Sequence, residues 1–129
     1  MPKMAPLYRI FFALAMLGLV ASAAVHVAAF FRCTIPAAAL PLFLPGILVV
    51  FLPAIAVAGP RVAGRKLTEI WGAFFERCPR WLTALAAVVI AYSLLAFFAV
   101  MVIAAPGAQL MGLTALQMVF YVVAAALLH

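Results

Sequence analysis

Residues 39–60 read ALPLFLPGILVVFLPAIAVAGP. The stretch is apolar enough to cross a bilayer, yet prolines stand at 41, 45, 53 and 60. A proline inside a helix removes one N–H from the ladder and crowds the carbonyl four residues back. The segment is therefore a broken helix, or a helix whose prolines sit where they cost least. A start near Pro41 favours the second reading. Pro41 then falls in the first turn, where an N–H has no intrahelical partner, and Pro45 falls at the end of that turn. Pro53 is left as the one residue that must interrupt the ladder, freeing the carbonyl of Val49 and favouring a kink. From Pro41 to Ala58 there are 18 residues, roughly 27 Å of helix, close to the thickness of a hydrocarbon core. Residues 37–40 then precede this helix.

The rest of the chain has the same character. Hydrophobic residues make up 72% of the 129 and charged residues 8%, far from the roughly half apolar and quarter charged of a water-soluble domain. Such a chain has too little polar surface to cover a soluble core. It reads as a single integral membrane domain. Four apolar runs, 10–31, 37–58, 81–104 and 110–128, each approach the roughly 20 residues a spanning helix needs. RCTIP joins the first two and APGAQ, with its Pro106-Gly107 turn signal, joins the last two. The expected fold is all-α: a four-helix transmembrane bundle of two antiparallel helical hairpins.

Charge sets the orientation. The net charge is +6, carried by eight basic and two acidic residues. Arg61, Arg65, Lys66, Arg77 and Arg80 crowd the long connection between spans two and three; Lys3 and Arg9 precede span one, and Arg32 follows it. With both termini cytoplasmic, only Arg32 lies outside, as the positive-inside rule requires. These residues are topology-setting, and their expected partner is a bilayer with anionic headgroups. No aromatic-basic motif points to nucleic acid. An alternative start is a signal peptide, since Ala21-Ser22-Ala23 resembles a peptidase site. The apolar run continues past it to Phe31, which favours an uncleaved span.

The connection itself carries a helical pattern. Leu67, Ile70, Trp71, Phe74, Phe75 and Cys78 recur at i, i+3, i+4, i+7, i+8 and i+11, one face of a helix over about 66–78 that Pro79 ends. Basic and acidic residues take the other side, as in a helix lying at the headgroup boundary. Leu67, Ile70, Trp71, Phe74 and Phe75 form its interfacial or partner-docking face, and Trp71 and Trp81 read as interfacial anchors. Cys33 and Cys78 lie on opposite sides of the membrane in this topology and cannot pair.

Polar residues within the spans are few, and polar side chains in lipid face the bundle interior. His26 is the one strongly ionisable side chain inside a span, on a face with Gly18 and Ser22. Thr114, Gln117 and Tyr121 share a face of the fourth span, and Tyr92 lies near the middle of the third. From helical rise, His26, Thr114 and Gln117 fall at similar depth in the outer half, with Tyr92 and Tyr121 nearer the midplane. A polar cluster of these five residues is expected, serving helix register in one reading and a ligand or proton in another. No cofactor is expected. The second histidine, His129, is at the wrong depth for a bis-histidine haem, and the two cysteines and two histidines have no metal-ligand spacing. No nucleophile–base constellation or intramembrane carboxylate suggests an enzyme or a proton-coupled exporter.

Three short motifs, Val25-His26, Cys78-Pro79-Arg80-Trp81 and Phe120-Tyr121, resemble those of small bacterial four-span inner-membrane proteins to which no activity is assigned. The resemblance covers about half of the chain. Val122 stands where that pattern often has serine. It implies four helices in a bacterial inner membrane and carries over no activity. The function expected from the sequence is a non-enzymatic accessory or assembly subunit. The alternative is an oligomeric transporter or channel-like protomer built around His26. A protein partner or a second copy of the chain is compatible with both.

Overall fold

The proline-rich stretch forms one helix in the computed structural model, which describes residues 5–31, 40–103 and 108–129. There are five helices among these residues: α1 Ala5–Phe30, α2 Leu40–Val62, α3 Leu67–Phe75, α4 Arg80–Val102 and α5 Ala108–Leu128. All but α3 are long and apolar enough to cross a membrane. Pro45, Pro53 and Pro60 all lie inside α2. Pro53 leaves the helix continuous, and the helix runs past the expected end at Ala58, through Pro60, to Val62. Each proline deletes one donor while its neighbours keep theirs, and the Ala63 N–H still reaches the Gly59 carbonyl at 3.1 Å. The chain turns at Gly64, whose φ of +75° a residue with a Cβ adopts at a steric cost. The Pro106-Gly107 turn, Arg32, Cys33, Lys3 and residues 37–39 lie outside the described residues.

The bundle is organised around α5. Within the spanning windows, 61% of α5 is buried against 11% of α4 and 22% of α1 and α2. Residues 121–128 are buried without a break. Helix α5 makes its most extensive contacts with α1 and α4, then with α2. Small side chains make this possible. Ala15, Ala54, Ala86, Ala115, Ala124 and Ala125 are completely covered, so backbones approach closely, as membrane helices do when burial in lipid supplies no hydrophobic drive. On α1 the buried residues Ala15, Leu19, Ser22 and His26 step by four, three and four, the stripe of a helix meeting one neighbour along its length. On α2 the stripe is Val50, Ala54 and Ala58. Outward from α4, Leu95, Met101 and Val102 remain more than 70% exposed. So much apolar surface on a soluble protein would promote aggregation; facing lipid it is the expected condition.

Contacts at both ends give α1 and α5 their relative direction. Phe12, near the start of α1, meets His129 edge-to-face at 5.6 Å, while His26, near its end, bonds Thr114 in the first turns of α5. The two helices run in opposite directions.

Lys66 stands at the N-cap of α3, and its backbone N–H donates to the Glu69 carboxylate at 3.3 Å. This is half of a capping box; the other half is missing because a lysine ammonium accepts no hydrogen bond. The apolar face expected on α3 divides in two. Phe74 and Phe75 pack against the core and Ala73 is buried, while Leu67 and Trp71 point away, 81% and 56% exposed. Replacing Phe74 and Phe75 together by alanine is therefore expected to destabilise the bundle by about 1–3 kcal/mol, a fraction of the cost for fully buried rings. Trp71→Ala should leave stability within about 0.5 kcal/mol, as exposed substitutions do. Denaturation of the purified variants in mixed micelles checks both, and equal losses would contradict the divided face.

Candidate functional site

The polar residues of the spans converge at the far end from the basic connection. His26 is 3% exposed and Thr114 1%. The imidazole Nδ1 lies 2.8 Å from the Thr114 hydroxyl and Nε2 lies 2.7 Å from the Tyr92 hydroxyl. The rings of His26 and Tyr92 meet edge-to-face at 5.5 Å. One side chain thus ties α1 to both α4 and α5.

The hydrogens follow from counting donors. The Thr114 hydroxyl has one proton, and the Leu110 and Met111 carbonyls stand 2.9 and 3.1 Å away. Donating there, it accepts from Nδ1–H, which leaves Nε2 as the acceptor for the Tyr92 O–H. Each group is satisfied with a neutral imidazole protonated on Nδ1. A neutral ring is also what an apolar bilayer interior favours.

Tyr92 was expected below this layer. Its hydroxyl nonetheless reaches His26, while the residue stays 48% exposed. Gln117 and Tyr121 share the face of Thr114 without a hydrogen bond to His26. The Gln117 Oε1 is buried without a partner among the described residues, as are the hydroxyls of Ser22 and Ser93. In the antiparallel register of α1 and α5, Ser22 stands one turn below His26 and Gln117 about one turn below Thr114, at the same level.

Two turns below His26 and Thr114, Tyr121 fills a notch between two glycines. A Cβ on Gly18 would collide with the Tyr121 ring carbons, and one on Gly46 would lie 2.7 Å from its hydroxyl. Gly18, Gly46 and Tyr121 therefore lock α1, α2 and α5 together. Sequence reading placed Gly18 on the face of His26 but did not find this lock. The signal was present in the pairing of two mid-span glycines with a lone tyrosine, but their opposition is a tertiary fact.

At the opposite end lie the residues read as topology-setting. Arg9, Arg61, Arg65 and Arg77 all border one cavity of about 880 Å³, and Arg80 begins α4. Arg65 pairs with Glu76 at 3.1 Å, both side chains well exposed, a contact that contributes about 0–1 kcal/mol. The Cys78 thiol donates to the Ala126 carbonyl at 3.1 Å. Burial pushes this thiol up from its ordinary value, against the opposing effect of the nearby Arg61 charge. It is a half-buried filler that helps seat the α3–α4 junction on the end of α5. Among the described residues, no group of three His, Cys, Asp or Glu side chains is placed to hold a metal.

Four apolar spanning-length helices with buried polar ties between them define a multi-pass helical membrane protein. Comparison with protein-family models, curated proteins and solved structures finds no match for the chain.

Proposed function

We propose that this chain is a non-enzymatic accessory or assembly subunit of a bacterial inner membrane, with both termini cytoplasmic and its spans paired as two antiparallel hairpins. The observation that carries this reading is the saturation of His26. Both ring nitrogens are held by Thr114 and Tyr92, so the ionisable side chain buried within the bundle, 3% exposed, is spent on joining three helices. Both acidic residues, Glu69 and Glu76, lie outside the spans, which leaves no carboxylate for coupling. The exposed side chains of Trp71 and Trp81 support an interfacial position for α3, with anionic headgroups against the basic connection. Leu67 and Trp71, turned away from the bundle, offer α3 a partner-docking edge.

The test is affinity purification of the tagged full chain from crosslinked native membranes in mild detergent. A stoichiometric partner that is lost on Trp71→Ala while bundle stability is unchanged supports the reading. Recovery of the chain alone, with or without crosslinking, overturns it.

A second reading has its own support. The unpartnered oxygens of Ser22, Ser93 and Gln117 are costly in lipid unless something else satisfies them, as an oligomeric transporter or channel-like protomer would. Solute flux in vesicles reconstituted with the chain alone, reduced by Gln117→Leu, would favour that reading over the first.

A further inference from the structure

The cavity at the basic end has the lining of an anion site. It is bounded by Arg9 on α1, Arg61 at the end of α2, Arg65 in the following turn and Arg77 after α3, with Glu76 the one acidic side chain on its wall. Glu76 is already paired with Arg65. Arg9, Arg61 and Arg77 form no ion pair among the described residues, so the lining carries an excess of positive side chains, four arginines against one glutamate. Arg61 adds a second and independent observation. Its Nη1 is shielded from solvent and has no hydrogen-bond partner among the described residues. A guanidinium N–H that has left water without finding an acceptor carries a full desolvation cost. Arg9 comes from the start of α1 and joins Arg61 and Arg77 of the basic connection, so the fold completes a set that no single run of sequence contains.

We infer that this cavity binds a phosphate group, held by Arg61 with Arg9 and Arg77 around it, presented by an anionic lipid headgroup or by a soluble phosphate. Planar guanidinium forks match phosphate oxygens in pairs. Basic pockets between helices at a membrane surface are where phosphate headgroups dock. The about 880 Å³ volume exceeds what a lone phosphate needs and leaves room for the glycerol of a headgroup. The inference narrows the headgroup contact proposed above to one cavity, and it is independent of whether the chain serves as an accessory subunit.

The experiment uses the purified full chain in neutral detergent at physiological ionic strength, where unpaired surface charges are screened beyond about 8 Å. Binding of phosphatidylglycerol, of phosphatidylcholine and of inorganic phosphate is measured by native mass spectrometry and by the shift of the unfolding midpoint. The expected result is binding of phosphatidylglycerol, inorganic phosphate or both, without comparable binding of phosphatidylcholine. Arg61→Gln should weaken it roughly tenfold, the loss of one charge-assisted contact. Arg77→Gln, whose side chain is exposed and whose loss spares the fold, should weaken it in the same direction. Arg80→Gln, outside the cavity, should change it by about twofold or less. Binding in the phosphatidylglycerol arm alone assigns the source to lipid, and competition by inorganic phosphate assigns it to a soluble anion. Failure of both probes to bind overturns the inference. So does an equal loss in Arg61→Gln, Arg77→Gln and Arg80→Gln, which would leave a general headgroup attraction and no site.

Discussion

His26→Ala is expected to destabilise the bundle by about 2–4 kcal/mol. Truncating a fully buried large side chain costs about 2–5 kcal/mol through lost contacts and the cavity left behind. The expected total already includes the two lost hydrogen bonds, each of about 0.6–1.7 kcal/mol between membrane helices. The Thr114 hydroxyl limits the damage because it keeps its backbone carbonyls. Tyr92→Phe removes one of the two bonds and no packing volume, so it should cost only about 0.6–1.7 kcal/mol. The two substitutions should be non-additive by about the same amount, since both delete the bond between Nε2 and the tyrosine hydroxyl. Unfolding of the four species of this cycle in mixed micelles measures the coupling. Additive losses would mean that His26 and Tyr92 do not share a hydrogen bond, and the clamp on three helices would reduce to His26 and Thr114.

The second large effect is expected at the glycine notch. Gly18→Ala places a methyl into the ring of Tyr121, which is 4% exposed and has no room to retreat. Overpacking of this kind costs about 1–3 kcal/mol. Gly46→Ala meets only the tyrosine hydroxyl, so its cost depends on that one oxygen. Tyr121→Phe should therefore rescue Gly46→Ala and leave Gly18→Ala unrescued, because the offending ring carbons remain. The readout is again the unfolding midpoint of purified variants. Rescue of both alanine variants by Tyr121→Phe, or of neither, would show that the ring is not seated between these two glycines.

These two expectations mark how far the sequence carries. The polar layer was legible because the bilayer punishes unpaired polar groups: few such residues exist, helical rise fixes their depth, and His26 and Thr114 fall at the same level. Tyr92 was assigned to another level because depth was reckoned from the backbone, whereas a tyrosine hydroxyl reaches beyond its own turn. The face of α3 was legible as amphipathic, but periodicity does not say which half of a wide apolar face meets the bundle. Contact with the rest of the fold buries Phe74 and Phe75 and leaves Leu67 and Trp71 outside.

By itself the sequence determined the class and the helices. An apolar content of 72% with 8% charge excludes a soluble core, and apolar runs of spanning length must be helical because lipid offers backbone groups no partner. Of the prolines in residues 39–60, the helix entry near Pro41 was readable from local position, whereas α2 continues through Pro53 and Pro60 to Val62. Only the tertiary structure decided which helix lies at the centre, which glycines meet which ring, and that Arg9 joins Arg61, Arg65 and Arg77 of the basic connection around one cavity. Apart from the few polar positions, the four spans are almost uniformly apolar, so little in their sequence marks an inner face along the whole helix. In lipid the choice among faces falls to close packing of small side chains and a few hydrogen bonds, and these depend on which residues stand opposite one another.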